Sequence, residues 1–214
     1  MNLVEPTVMA DIEYFYSAHS AFAYIGAQRL REIASAGDHR VVHRPIELRE
    51  VIAAAGPGAI NNLTPHRRAY MNREIERWAA YRGMTIMGRV PTYHHHEINT
   101  PNGVLIAAIE AGEDVDALAF TLLQAHWRDD ADLADRPTLE RLAQQAGMAN
   151  PTALVAAADA PAIVAIHEAN TADAIARGVL GSPTYAAGGE MYYGQDHLEL
   201  MARGLEEAYP RAWT

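Results

Sequence analysis

The segment Gly178-Val179-Leu180-Gly181-Ser182-Pro183-Thr184 decides the fold of this 214-residue chain. Gly178 is typical of the end of a helix, and Pro183 stands at the first position of a predicted strand. An X-Pro bond prefers the trans form by only about 0.5–1 kcal/mol, so packing can hold the Ser182-Pro183 bond in the cis form. We predict a cis bond here, with the N–H and C=O groups of Ser182 turned towards a ligand.

The composition of the chain limits the functions open to it. Hydrophobic residues make up 50% of the sequence, which is enough for a large buried core, and the formal net charge is −10. Nucleic-acid-binding surfaces are basic, so we expect no nucleic-acid partner. We see no apolar run of about 18 residues and no basic segment followed by an apolar stretch near the first residue. We therefore expect no membrane segment and a cytoplasmic location.

The sequence contains no cysteine. This excludes disulfides, thiolate metal sites and the Cys-x-x-Cys redox motif, so any thiol in the chemistry must arrive with a ligand. His94-His95-His96 is a candidate metal motif, but neighbouring side chains of an extended segment point to opposite sides and cannot share one ion well. We interpret the three histidines as a solvated loop and assign no metal.

Strand and helix patterns alternate at the beginning of the chain. Residues 11–16 are rich in aromatic side chains and predict a strand, and apolar residues recur at helical spacing from residue 21 to 36. A second strand is predicted over residues 41–46. The chain therefore opens with a strand, a helix and a strand, which is half of a thioredoxin-like unit.

The middle of the chain, residues 47–177, carries almost only helical signals. Two of its helices are predicted to begin with a threonine cap followed by proline at the first helical position, at Thr64-Pro65 and Thr100-Pro101. Strand patterns return at residues 184–187 and 190–193, which predict a hairpin around a glycine turn before a last helix. We interpret the middle as a helical insertion between two strand-bearing ends.

Few residues outside the core have the chemistry of a functional site. Ser20 stands at the predicted start of the first helix, where free N–H groups and the positive end of the helix dipole favour a neighbouring anion. Each candidate also has a purely structural interpretation: Ser20 as an N-cap, Ser182-Pro183 as a turn, and Gln195-Asp196 as the cap of the last helix. A fold that brings all of them to one crevice at the strand ends favours a shared site.

One predicted helix of the insertion is basic. Its five arginines have a simple interpretation as a solvated helix face that forms ion pairs with Glu74 and Glu76, and the alternative is a surface that binds an anionic substrate. These arginines are Arg67, Arg68, Arg73, Arg77 and Arg82.

Several motifs together resemble a known family, the 2-hydroxychromene-2-carboxylate isomerases, which are related to kappa-class glutathione transferases and to DsbA-type oxidoreductases. The motifs are Tyr14-Phe15-Tyr16, Ser20-Ala21-Phe22-Ala23-Tyr24, Arg77-Trp78-Ala79, Asn99-Thr100, Ala125-His126-Trp127, the opening segment 178–184 and Gly194-Gln195-Asp196. The resemblance covers nearly the whole chain. It implies an α/β, thioredoxin-like fold with a large all-helical insertion. The thioredoxin-like domain is expected at residues 9–46 and 178–214, and the insertion at 47–177.

The same resemblance implies glutathione as the cofactor, a small aromatic molecule as the substrate, and commonly a homodimer. Ser20 then holds the glutathione sulfur in place of a redox cysteine. Ser182, with Pro183, offers main-chain hydrogen bonds to the peptide, and Gln195 with Asp196 receives the γ-glutamyl end. Tyr93 is a candidate substrate-binding residue because it precedes Asn99-Thr100, although an ordinary surface tyrosine is the simpler interpretation.

The chain also departs from the family pattern. The active serine is followed by Ala21 instead of proline, which removes a favoured first-turn residue but leaves the hydroxyl. A lysine of the family's substrate pocket falls on Ile52, and an asparagine near Gly56. The glutathione half of the family site is therefore better represented in this sequence than the substrate half.

A serine can supply what a bound thiolate needs. Lowering the pKa of a bound thiol by two units requires that the thiolate be stabilised by about 2.7 kcal/mol. A hydroxyl hydrogen bond to a charged group contributes about 1.5–3 kcal/mol and a helix N-terminus about 0.3–1 kcal/mol. In the chemistry that the resemblance implies, the thiolate adds to a conjugated double bond, the ring opens, the bond rotates, and elimination restores glutathione.

Three functions remain open on the sequence. The first is a glutathione-dependent cis–trans isomerase of aromatic degradation. The second is a kappa-class-like transferase that conjugates glutathione to electrophiles. The third is a non-catalytic module that binds glutathione or peptide.

Overall fold

A four-stranded sheet with the order β2-β1-β3-β4 forms the centre of the computed structural model, which describes residues 9–56 and 64–211. Its strands are β1 Asp11–Tyr16, β2 Arg40–Pro45, β3 Thr184–Ala187 and β4 Glu190–Tyr193. β1 runs parallel to β2 and antiparallel to β3, and β3 pairs antiparallel with β4. The opening strands and the closing hairpin therefore share one sheet, although the helical middle of the sequence separates them.

Helices occupy the middle of the chain, as the sequence predicts, and also follow β1 and β4. They are α1 Ala21–Ala36, α2 Leu48–Ala54, α3 Pro65–Tyr81, α4 Asn99–Glu110, α5 Val115–Trp127, α6 Arg136–Gln145, α7 Pro151–Ala157, α8 Pro161–Ala176 and α9 Leu198–Glu206. A 3₁₀ turn, Gln195–His197, precedes α9. Within the described ranges no single helix has the length and apolarity to cross a membrane; α7 and α8 pass together by length and composition, across a bend of 69°.

The predicted threonine caps have different outcomes. The Thr64 side chain accepts a hydrogen bond from the Arg67 N–H and caps α3, as predicted. Thr100 does not cap α4, because that helix already begins at Asn99. The Glu97 carboxylate accepts from the N–H groups of Asn99 and Thr100 instead. An acidic side chain before the first turn is an equally good acceptor, and it also complements the helix dipole.

The two faces of β1 belong to different cores. Ile12, Tyr14 and Tyr16 are buried on one face, in a cluster that continues through α1 and into α4, α5, α6 and α7. Phe15 is buried on the other face with Ile46, Val51, Ala174, Val179 and Ala186. Each fully buried large side chain contributes about 1.5–3 kcal/mol of hydrophobic stabilisation. The helical middle thus shares one continuous core with the sheet.

Helix α8 packs on the sheet edge next to β2. The Asn170 side chain donates to the Pro45 carbonyl at 3.3 Å and accepts from Arg44 at 3.3 Å. The Thr171 hydroxyl oxygen accepts from the Glu47 N–H at 2.9 Å. These contacts join the last helix of the predicted insertion to the strand-bearing part. The division into residues 9–46 with 178–214 and 47–177 stays a prediction.

Candidate active site

Ser20 is the N-cap of α1, between the end of β1 and the first helical turn. Its backbone is extended, and its Oγ accepts a hydrogen bond from the Ala23 N–H at 3.2 Å. The first turn of α1 contains no acidic residue, so no carboxylate neutralises the positive end of the helix dipole there. Ser20 is therefore the N-cap of α1, and the helix N-terminus around it still favours an anion.

The segment 178–184 brings Ser182 and Pro183 to Ser20. The Ser182-Pro183 bond is cis, as predicted. The Ser20 hydroxyl donates to the Ser182 carbonyl at 3.1 Å, and the Ser182 Oγ accepts from the Ser17 N–H at 3.2 Å. Three of the predicted site residues thus meet at one point, at the carboxyl end of β1.

Gln195 faces Gly26 of α1. Its side chain is fully buried; the Oε1 accepts from the Arg82 Nε at 3.1 Å, and its carbonyl accepts from the Arg82 Nη2 at 3.1 Å. Its Nε2 has no hydrogen-bond partner among the described residues. The 3₁₀ turn and α9 have no side-chain cap, so the predicted capping role of Gln195 and Asp196 does not occur. The Asp196 side chain is 48% exposed.

Arg82 is a structural residue of this site that the sequence interpretation missed. Arg73 and Arg77 form the predicted ion pairs with Glu76 and Glu74, at 2.6 and 2.7 Å. Arg82 is not part of that solvated face: its side chain is only 9% exposed and contacts Glu199 at 2.6 Å. The hydrogen bond to Glu199 raises the pKa of Arg82.

A signal for the position of Arg82 was present in the sequence. Arg82 follows Trp78 and Ala79 by four and three residues, so it lies on the same side of the helix as these apolar side chains. Its guanidinium also lies 5.6 Å from the centre of the Trp78 ring. Spacing relative to the apolar face, rather than relative to the other arginines, predicts a buried arginine here.

Two side chains from the helical middle hold the backbone immediately before Ser20. The Asn102 Oδ1 accepts from the Ala18 N–H at 3.0 Å, and the Trp127 indole donates to the His19 carbonyl at 2.9 Å. Asn102 has no exposed surface and also donates to the Ile46 carbonyl at 2.9 Å. A polar residue inside the apolar stretch of α4 was the available signal, because buried amides are nearly always hydrogen-bonded.

The predicted solvated loop of three histidines is solvated only in part. His95 and His96 are exposed, but His94 is partly buried and stacks on His126 with ring centres 5.3 Å apart. The reason is that the loop folds back onto α5. Burial lowers the pKa of His94 to about 4 and that of His19 to about 2, and it also lowers the pKa of His126. In the described ranges no group of three or more His, Asp or Glu side chains is arranged to hold a metal ion.

Tyr93 is half-buried in the same loop. Its ring packs edge-on against His96 with centres 5.2 Å apart. It has no hydrogen bond or ring contact to Ser20 or Ser182 in the part of the chain that the structure describes. Ile52 is buried on α2, and Arg49, one turn earlier, donates to the His96 carbonyl at 3.2 Å. The loop that carries Tyr93 is therefore held by an arginine of α2.

Residues 11–206 match the family model of the DSBA-like thioredoxin domain. The chain belongs to this family. The predicted α/β, thioredoxin-like fold class is confirmed. A shared fold does not imply a shared reaction, so membership alone does not identify the reaction.

Individual proteins resemble the chain along most of its length. The 2-hydroxychromene-2-carboxylate isomerase of Sphingobium xenophagum is 25% identical over 193 residues, which cover 89% of this chain and 95% of that protein. A solved structure of a 2-hydroxychromene-2-carboxylate isomerase has a TM-score of 0.75 at 22% identity and covers 91% of this chain and 94% of its own. The cytosolic disulfide reductase DsbM of Pseudomonas aeruginosa, solved with GSH, has a TM-score of 0.64 at 17% identity, with coverage of 92% and 93%.

Proposed function

We propose that this protein is a glutathione-dependent cis–trans isomerase that acts on an unsaturated aromatic acid of the 2-hydroxychromene-2-carboxylate type. The observation that carries the proposal is the Ser20 hydroxyl, placed at the N-terminus of α1 and 3.1 Å from the Ser182 carbonyl in a chain without cysteine. The names of the relatives support the reaction. A structural neighbour solved with GSH supports the cofactor.

The residues at this site fit the chemistry of glutathione. Ser182 and Pro183 offer main-chain groups to the cysteinyl part of the tripeptide, in the manner of a strand edge. The buried Gln195 Nε2 is a donor that lacks a partner, and the exposed Asp196 carboxylate is an acceptor for an ammonium group. Bound glutathione supplies a thiolate that adds to a conjugated double bond, permits its rotation as a single bond, and leaves again.

Ser20 acts on the sulfur as a hydrogen-bond donor, and this donation replaces an existing bond. Its proton points to the Ser182 carbonyl in the protein alone. A neutral hydrogen bond contributes about 0.5–1.5 kcal/mol and one to a charged atom about 1.5–3 kcal/mol, so the exchange gains about 1 kcal/mol. The helix N-terminus adds about 0.3–1 kcal/mol. Together they lower the pKa of the bound thiol by roughly one unit. A hydroxyl that did not have to give up an existing hydrogen bond would lower it more.

We place this chemistry in the cytoplasm, where thiols are kept reduced, and we expect a homodimer. The site leaves conjugation of glutathione to an electrophile as the competing reaction. The two differ in stoichiometry: isomerisation returns the thiol, whereas conjugation consumes one glutathione per product. A thiol assay during turnover separates them.

The test of Ser20 is the Ser20→Ala variant, with Thr64→Ala as the matched control. Both variants lose an N-cap side chain, which costs about 1 kcal/mol of stability, but Thr64 caps the exposed start of α3. We expect Ser20→Ala to keep glutathione binding measurable by calorimetry, to raise the pKa of the bound thiol, and to lower turnover about tenfold. Thr64→Ala should leave turnover unchanged. Undiminished turnover in Ser20→Ala would falsify the role of the hydroxyl, and no binding at millimolar glutathione would favour a module without this cofactor.

A further inference from the structure

A chain of hydrogen bonds fixes the tautomer of His94. The His126 Nδ1 lies 3.2 Å from the Ala131 carbonyl, which can only accept, so this nitrogen carries the hydrogen. Burial lowers the pKa of His126 and keeps the ring neutral, so its Nε2 has a lone pair. That Nε2 lies 3.0 Å from the His94 Nδ1, which must therefore carry a hydrogen of its own. The neutral His94 ring is left with a lone pair on Nε2.

The histidine pair lies against the backbone that leads into Ser20. The His19 ring centre is 4.6 Å from that of His126 and 6.2 Å from that of His94. Trp127, which donates to the His19 carbonyl, is edge-on to His94 with ring centres 5.2 Å apart. His19 is 4% exposed, and neither of its ring nitrogens has a hydrogen-bond partner among the described residues. This buried polar cluster is not used by the glutathione contacts proposed above.

The charges around the pair keep His94 available as an acceptor. Burial is the largest cause of the lowered pKa of His94. Arg49 from α2 and His95 from the same loop lower this pKa further. The carboxylates near His126 are engaged elsewhere: Asp130 binds Arg89 and Thr92, and Asp132 binds His96. His19 is held neutral by burial and by the neighbouring histidines. At neutral pH the Nε2 of His94 is therefore unprotonated.

We propose that His94 is a catalytic residue of the isomerisation, the acceptor of the hydroxyl proton when a cyclic hemiketal substrate opens. This inference rests on the proposed function, because a 2-hydroxychromene carries such a hydroxyl on the carbon bonded to the ring oxygen. The proton moves to the His94 Nε2, and the electron pair of the O–H bond forms the carbonyl. The bond from that carbon to the ring oxygen breaks, and its electron pair stays on the oxygen as a phenolate. The phenolate then takes the proton back from His94, so the step is balanced and needs no co-reactant.

His126 is a positioning residue in this scheme. His126 selects the tautomer of His94. It also disperses the positive charge of the His94 ring while the transferred proton is on the His94 Nε2.

The experiment compares two probes in the presence of glutathione. One is 2-hydroxychromene-2-carboxylate, which must open; the other is (Z)-2-methoxybenzylidenepyruvate, an open-chain methyl ether that cannot close. We expect His94→Gln to lower kcat on the first probe about 100-fold, in the range usual for general acid–base catalysis, and to change kcat on the second less than threefold. The exposed His66→Gln on α3 is the matched control and should match the wild type on both probes.

The outcomes separate this inference from the proposed function. If the wild-type protein isomerises both probes and His94→Gln is unimpaired, or is impaired equally on both, the role of His94 is overturned while the proposed function stands. If the wild-type protein isomerises neither probe, both proposals fail. His94→Asn serves as a second variant should the glutamine variant not fold, and circular dichroism checks each one.

Nitrogen NMR gives a readout that does not depend on activity. We expect the wild-type spectrum at pH 7 to show hydrogen on Nδ1 and a lone pair on Nε2 for both His94 and His126. His126→Gln keeps a donor for Ala131 and an acceptor for His94, so it should preserve the His94 tautomer and most of the activity on the cyclic probe. His126→Leu removes both groups and should lose at least tenfold. A His94 ring with hydrogen on Nε2 in the wild-type protein contradicts the assignment.

Discussion

At the scale of single residues, Arg82 makes the contacts that join the helical middle to the turn that carries Gln195. Its guanidinium forms hydrogen bonds to the side chain and the main chain of Gln195 and to both oxygens of Glu199. Lysine cannot reproduce this planar set of donors. We expect Arg82→Lys to lower the free energy of unfolding by about 2–3 kcal/mol, because it leaves buried acceptors without a donor. Urea unfolding measures this change.

The same variant tests whether the turn belongs to the proposed glutathione site. We expect Arg82→Lys to weaken glutathione binding about tenfold in calorimetry, since Gln195 loses its anchor. Arg77→Lys is the control on the same helix; its ion pair with Glu74 has a half-exposed arginine, and it should change stability by less than about 0.5 kcal/mol. Equal affinities in Arg82→Lys and Arg77→Lys would exclude the turn from the site.

Residues differ in how far their positions follow from the sequence. Ser20 could be located because N-cap chemistry depends only on its immediate neighbours along the chain. Ser182 and Pro183 could be located because the glycine before them ends a helix. Arg82 forms its hydrogen bond with Gln195, and Asn102 forms its hydrogen bond with Ala18. In both pairs the partner is more than 80 positions away along the sequence. Neither periodicity nor capping carries that information.

At the scale of elements, α1 and the 3₁₀ turn approach closely because Gly26 has no side chain. A Cβ at this position would lie 2.7 Å from the Gln195 Cβ, 3.0 Å from the Tyr185 hydroxyl and 3.3 Å from a methyl of Leu198. We expect Gly26→Ala to destabilise the fold by about 1–3 kcal/mol, since overpacking at a buried contact forces the turn away from the helix. Thermal and urea unfolding both report this loss.

The displaced turn should also bind glutathione less well, by several-fold in calorimetry. Gly88→Ala provides the comparison, because a Cβ there meets nothing within 4 Å and the backbone is not in the left-handed region. That variant should leave stability and affinity as they are. If Gly26→Ala is as stable as Gly88→Ala, the result contradicts our inference that α1 and the turn are too tightly packed to accept a Cβ at Gly26.

Elements were predicted best where their boundaries are encoded locally. The predicted helix over residues 21–36 coincides with α1, because a serine cap and a terminal glycine delimit it. The cap at Thr100 was wrong because two acceptors compete for the first turn of α4, and the carboxylate of Glu97 is already in place. The sequence alone does not say which of two suitable caps a chain uses.

At the scale of the whole molecule, four histidines of the described ranges with lowered pKa values make stability depend on pH. Burial lowers the pKa values of His19, His94, His126 and His167 below the ordinary 6.5. The unfolded chain then binds protons that the folded chain does not. The stabilisation is complete above pH 6.5 and is lost as the pH falls, by about 1.4 kcal/mol per pH unit for each histidine that titrates only on unfolding.

Urea unfolding at pH 7.5, 6 and 5 checks this dependence. We expect the free energy of unfolding to fall steeply below pH 6.5, and the fall to be shallower in His126→Gln than in the exposed control His95→Gln. Carboxylates with lowered pKa values, such as Asp116 and Glu199, add to the loss only below about pH 4. A free energy that is constant from pH 7.5 to 5 would contradict the burial of these rings.

The overall architecture was predictable, whereas the junction between its parts was not. The strand and helix patterns at the beginning of the chain predict half of a thioredoxin-like unit, and the family resemblance implies the rest of the fold class. The continuity of the core from Tyr14 through Leu105 and Leu118 depends on packing between distant segments. The same holds for the histidine loop, which folds onto α5 and brings His94 against His126 and against His19, the residue before Ser20.

The position of Trp127 gives the protein a fluorophore of its own at this cluster. Its indole is hydrogen-bonded to the residue before Ser20 and stands edge-on to His94. Charged imidazolium quenches indole emission more strongly than neutral imidazole does. We therefore expect protonation of His94 on acidification to lower the emission of Trp127.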